Sequence, residues 1–257
     1  MYHQFSVIET VKTSWRVLKK NFITLVVYSA ISLFVYGGSK MISLFLIIDD
    51  SYNGKIIFGL AQMVVQSYLT LSFYRLILTL MDKEYYEFEF KEILPTFSMT
   101  LTLFVIGLMI TVLILIIMIL NFFTSANPFV SVVFQYAVVL SLLYLLVRSI
   151  FCLCFIVDDN SKPLESLKQS FEITRDNFFN ALFIVLIIAG IMLLSLLFVS
   201  AIAGFFISPD SNVWITQLPF YVWFIFVFPS VQVLIMVTYR KLVYSHLDVD
   251  DDLSETL

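Results

Sequence analysis

From Leu101 to Leu120 the chain carries no charge, and nothing in that run is more polar than Thr102 and Thr111. A hydrocarbon core about 30 Å thick is crossed by a helix of about 20 apolar residues. Six stretches reach that length: 21–48, 56–81, 97–123, 129–157, 179–207 and 214–244. A helix apolar on every face has no side to turn to water. Only 13% of the residues are charged, against about a quarter in a soluble domain. The chain is therefore expected to be all-α, a polytopic membrane bundle of six transmembrane helices. The connections at 49–55, 124–128 and 208–213 leave no room for a soluble domain. One integral membrane domain is expected over 1–248, followed by an acidic flexible tail at 249–257. No cleavable leader is expected, because the first residues mix charge signs and lack a short apolar stretch.

Lys and Arg collect in cytoplasmic loops. Lys12, Arg16, Lys19, Lys20, Lys83, Lys91, Lys162, Lys168, Arg175, Arg240 and Lys241 fall on one side of the alternating spans, and Lys40 and Lys55 on the other. Both termini are accordingly expected in the cytoplasm, as six spans require. In a bacterial cell this places the protein in the inner membrane.

Residues 8–22 and 164–178 repeat one pattern. Glu9/Glu165, Lys12/Lys168, Ser14/Ser170, Asn21/Asn177 and Phe22/Phe178 are identical, and Trp15/Phe171 and Val17/Ile173 are near-isosteric. Each copy runs into a spanning segment. Ile8, Val11, Trp15, Leu18 and Phe22 recur at spacings of three and four beside mixed charge, the pattern of an amphipathic helix lying in the membrane interface. Pro163 suits the first turn of the second copy. A weaker copy is read at 84–97. The expected units are 5–82, 83–158 and 159–248, an internal parallel repeat because each returns the chain to the same side. Trp15 and Phe171 are expected in equivalent places, and Ser14 and Ser170 at the junction with the spans.

Polar groups enter the spans unevenly. Gln62, Gln66 and Arg75 lie in the second, Gln135 and Arg148 in the fourth, Gln232 and Arg240 in the sixth. Amides and guanidinium groups in hydrocarbon need partners, so these spans are expected to form an inner set shielded by the odd-numbered ones. Arg148 stands out. Placing Arg near the bilayer centre costs about 2.5–3.5 kcal/mol on insertion scales. Three roles suit it: a clamp to Gln, Tyr or backbone carbonyls, a contact to substrate or lipid headgroup, or snorkelling to the surface.

His3 and His246 lie at opposite ends, no pair of carboxylates lies inside a span, and Cys152 and Cys154 face different directions on a helix. No metal-ligand spacing, Gly-rich phosphate loop or nucleophile elbow occurs. Neither an enzyme nor a cofactor is expected.

The stretch from Arg148 through Pro163-Leu-Glu-Ser166-Leu-Lys-Gln-Ser170-Phe-Glu-Ile-Thr174-Arg175-Asp-Asn-Phe178 resembles a pattern in bacterial six-span membrane proteins grouped with the membrane domain of glycerophosphoryl diester phosphodiesterases. Ser166, Ser170, Thr174, Arg175 and Phe178 match it, while Asp176 stands where Gly is commoner. The resemblance implies an integral membrane domain. The phosphodiesterase chemistry of its namesakes belongs to a separate soluble domain. Basic interfacial helices grip anionic headgroups at about 1 kcal/mol per basic residue, so the leading expectation is a lipid-handling or envelope-organising role. The rivals are a permease for a small or amphipathic solute and a membrane anchor for a partner protein. Membrane lipids and other envelope proteins are the expected partners, and nucleic acid is not.

Overall fold

A computed structural model describes residues 6–46, 52–82, 90–206 and 213–244. The acidic tail, both histidines and residues 84–89 of the 84–97 segment lie outside them. The described residues are helical, with no strand among them. The helices are α1 (Val7–Lys20), α2 (Phe22–Leu46), α3 (Tyr52–Asp82), α4 (Phe97–Thr124), α5 (Pro128–Ser149), α6 (Cys152–Asp158), α7 (Pro163–Ile173), α8 (Phe178–Phe206) and α9 (Val213–Val243). Among the described residues six segments are long and apolar enough to cross a membrane, as in a multi-pass membrane protein: α2, α3, α4, α5 with α6, α8 and α9.

Local chemistry explains several boundaries. The Asn127 side-chain oxygen accepts from the Phe129 and Val130 N–H groups at 3.1 and 3.4 Å, and Pro128 opens α5. This satisfies donors that a helix N-terminus otherwise leaves unpaired. Thr96 caps α4 through the Met99 N–H. Pro163 starts α7, where the Glu165 carboxylate accepts from the Lys162 N–H. In α1, Glu9 lies in the first turn and Lys19 and Lys20 in the last, matching the helix dipole.

The core sits at one end of the bundle. It is built from Leu71–Met81 of α3, 147–157 of α5 and α6, and 231–242 of α9. The three short segments dock at this end: the 3-10 turn Phe90–Ile93 on α3, α7 on α6, and α1 on α9. The Ser72 hydroxyl donates to the Ile93 carbonyl at 2.9 Å. Towards the other end large apolar side chains lie open to the surroundings, among them Phe122, Phe129, Val139 and Leu140. An exposed apolar surface that extensive is a membrane-facing one.

The expected inner set is seen in part: the core comes mainly from the even-numbered spans, which are more buried than the odd-numbered ones. The far half of α5 departs from it, with Tyr136 70% exposed. Gln135 on the same helix is exposed too and reaches only Ser131, one turn earlier, at 3.4 Å. A partner within its own helix removes the need for one on a neighbour. The fourth span is also not one helix, since it breaks between Ser149 and Cys152.

α1 packs through Thr10, Thr13, Ser14, Val17 and Leu18, while Ile8 is 82% and Trp15 66% exposed. Small residues let helix backbones approach closely. The stripe is thereby divided, with Leu18 buried and Val11 against the core but Ile8 and Trp15 outward.

Candidate functional site

Arg148 occupies the last turn of α5, where a positive charge suits the carbonyl-rich helix end. Its neighbourhood is shaped by the break. The Ser170 hydroxyl of α7 donates to the Arg148 carbonyl at 2.7 Å and accepts from the Phe151 N–H at 3.2 Å. One side chain thus satisfies two backbone groups that the interrupted ladder releases, which makes a break tolerable at membrane depth. Ser149 bonds back to the Leu145 carbonyl at 2.8 Å, and Cys152 Sγ meets Ser166 Oγ at 3.2 Å.

The Arg148 guanidinium lies over the Phe171 ring at 5.1 Å and near the Tyr144 ring at 5.9 Å. Both are within cation–π range. Its Nε is buried without a hydrogen-bond partner, and no ion pair holds it among the described residues.

Phe171 also lines a cleft of about 830 Å³ between α4, α5, α6 and α7. Ile106, Leu113, Leu145 and Leu153 contribute apolar walls, and Lys168 stands on the same lining. The lining of α4 runs from Leu103 to Leu113, about 15 Å by the helical rise. That is about half the thickness of a hydrocarbon core.

The other sequence-selected residues are dispersed. Arg75 Nη1 lies 3.9 Å from Met99 Sδ. Arg240 pairs with Asp82 and lies over the Tyr244 ring at 5.2 Å. Gln62 accepts from the Ser39 hydroxyl at 2.9 Å, Gln66 is exposed, and the Gln232 side-chain oxygen is buried without a partner. Arg175 is exposed in the turn after α7. Ser14 is buried against the bundle and donates to the Thr10 carbonyl at 2.7 Å.

Sequence reading missed a set of contacts at the end of α9. Lys241 is fully buried and pairs with Glu9 of α1 at 3.3 Å. The Tyr239 and Tyr244 hydroxyls donate to the Asp158 carboxylate at 2.8 and 3.2 Å. With Arg240–Asp82, these contacts tie α1, α3 and α6 to α9. Partial burial, then the neighbouring Asp158 and Glu165, raise the Asp159 carboxyl above its ordinary range. Comparison with protein families, with curated proteins and with solved structures finds no match to this chain.

Proposed function

We propose that this is a non-enzymatic lipid-handling protein of the bacterial inner membrane, with both termini in the cytoplasm. The cleft between α4 and α7 carries the reading. Its walls are apolar, its length suits an acyl chain, and its basic residue stands at the end where α1 and α7 lie. A permease path is less well supported, because the intramembrane polar residues are spread over separate contacts. The outward-facing Ile8 and Trp15 of α1 can also receive an envelope protein, which keeps the organising and anchoring roles within the proposal.

The proposal includes a threefold parallel repeat. Each short segment docks on the second span of the unit before it, and α1 closes the ring on α9. Six aligned pairs of the first and third units are buried in both copies: Thr10/Ser166, Ser14/Ser170, Val17/Ile173, Leu18/Thr174, Asn21/Asn177 and Leu25/Ala181. The repeat axis lies close to the membrane normal. Trp15 and its neighbours rest in the headgroup layer, where an amphipathic ring is favoured. The resemblance of 163–178 to the six-span bacterial family is part of the same proposal.

The test is native mass spectrometry of protein extracted in mild detergent, expected to retain lipid. A spectrum of bare protein refutes the reading. Cysteine labelling in intact cells fixes the orientation: position 53 should react from outside, and positions 5 and 250 should not.

A further inference from the structure

Resting on the lipid-handling reading, we propose that Arg148 and Lys168 form a headgroup site selective for one anionic phospholipid, whose chain fills the cleft. Phe171 joins the two halves. It lines the cleft and carries the Arg148 guanidinium on its ring at 5.1 Å. Lys168 precedes it by three residues on α7, so the two share a helix face, and Lys168 lines the cleft as well.

Both cations have donors to spare. Arg148 has no ion pair among the described residues, and its buried Nε has no hydrogen-bond partner. Lys168 meets only Glu172, at 3.9 Å, with both side chains well exposed. A guanidinium presents a planar fork of donors that matches phosphate oxygens, whereas an ammonium acts as a point charge beside it. An Arg held near hydrocarbon without a carboxylate is costly in the free protein. Arg148 reaches the cleft only through the Phe171 ring, so a phosphate bound at that ring, between Lys168 of the lining and the Arg148 guanidinium, supplies the missing countercharge. A zwitterionic lipid offers the same phosphate but adds a cation, which Arg148 and Lys168 repel. The site therefore prefers phosphatidylglycerol to phosphatidylcholine.

The full-length protein is reconstituted in equal mixtures of phosphatidylglycerol and phosphatidylcholine, and retained lipid is read by native mass spectrometry. A basic residue near an anionic surface contributes about 1 kcal/mol, roughly fivefold in affinity. The wild type is expected to enrich phosphatidylglycerol by roughly tenfold or more. Arg148→Gln and Lys168→Gln should each lower that preference about fivefold while total retained lipid persists. Gln66→Leu, at an exposed uncharged position on α3 outside the cleft lining, should leave it unchanged. Equal retention of the two lipids by the wild type overturns the headgroup site and leaves the lipid-handling reading standing. Retention of neither overturns both. Lys168 is exposed, so Lys168→Gln should fold even if Arg148→Gln does not. An undiminished preference in that variant also overturns the inference.

Discussion

Replacing Ser170 by Ala removes one hydroxyl and strands two backbone groups. The Arg148 carbonyl loses its 2.7 Å donor and the Phe151 N–H loses its 3.2 Å acceptor. Ser170 is fully buried, so water does not readily take over. A buried polar group left unsatisfied costs about 1–3 kcal/mol. Allowing for relaxation, the loss should be about 2–4 kcal/mol. Ser14, its counterpart in the repeat, is the internal control. Its hydroxyl bonds only to the Thr10 carbonyl, one turn back in its own helix. That bond competes with the helix as much as it supports it, and Ala is the better helix former. Ser14→Ala should therefore change stability by less than about 0.5 kcal/mol. Equilibrium unfolding in mixed micelles of increasing SDS fraction measures both. Equal small shifts for the two variants would refute the claim that Ser170 holds the break in the fourth span.

Glu9→Gln should cost about 1–3 kcal/mol, because it withdraws the charged partner of a fully buried Lys241. The double variant with Lys241→Met should recover most of that loss in the same unfolding assay, since it removes the buried charge as well. Asp159 is disfavoured as a carboxylate in the fold. Its raised pKa means the penalty appears as pH rises through the folded value and vanishes in acid. Asp159→Asn should thus stabilise near neutral pH, by no more than about 0.5 kcal/mol given its exposure. Titrating the melting temperature of both proteins should show the gap closing in acid. A Cβ at Gly107 on α4 would collide with Met63 Cε on α3. Gly107→Ala should nevertheless change stability by less than about 1 kcal/mol in the same unfolding assay, because the unbranched Met63 side chain can swing its terminal methyl aside.

The six spans were legible because hydrocarbon thickness imposes a length and a composition that soluble helices do not meet. Pro163 and the short loop at 124–128 marked boundaries through local chemistry alone. The break at Ile150–Phe151 was invisible. Residues 129–157 contain neither Gly nor Pro, and Pro128 only opens the helix. The group that stabilises the break, Ser170, comes from another helix. Arg148 was conspicuous as a charge inside an apolar run, and Phe171 through its repeat partner Trp15. The cleft joining them depends on four helices and has no local signature. On α1 the stripe is divided: Leu18 is buried and Val11 packs on the core, whereas Ile8 and Trp15 face outward. In water apolar residues turn inward, but beside a membrane small residues pack and aromatic ones meet the headgroups. The Glu9–Lys241 and Asp158–Tyr239 contacts join distant parts of the chain, where charge pattern alone does not name partners.

The central claim is that a lipid chain occupies the cleft between α4 and α7. Electron cryomicroscopy of the protein in nanodiscs of native lipid tests it directly. The account predicts elongated density along Ile106 and Leu113, ending beside Phe171 with a headgroup near Arg148 and Lys168. A cleft closed by α4 against α5, or one filled only by water, would contradict it.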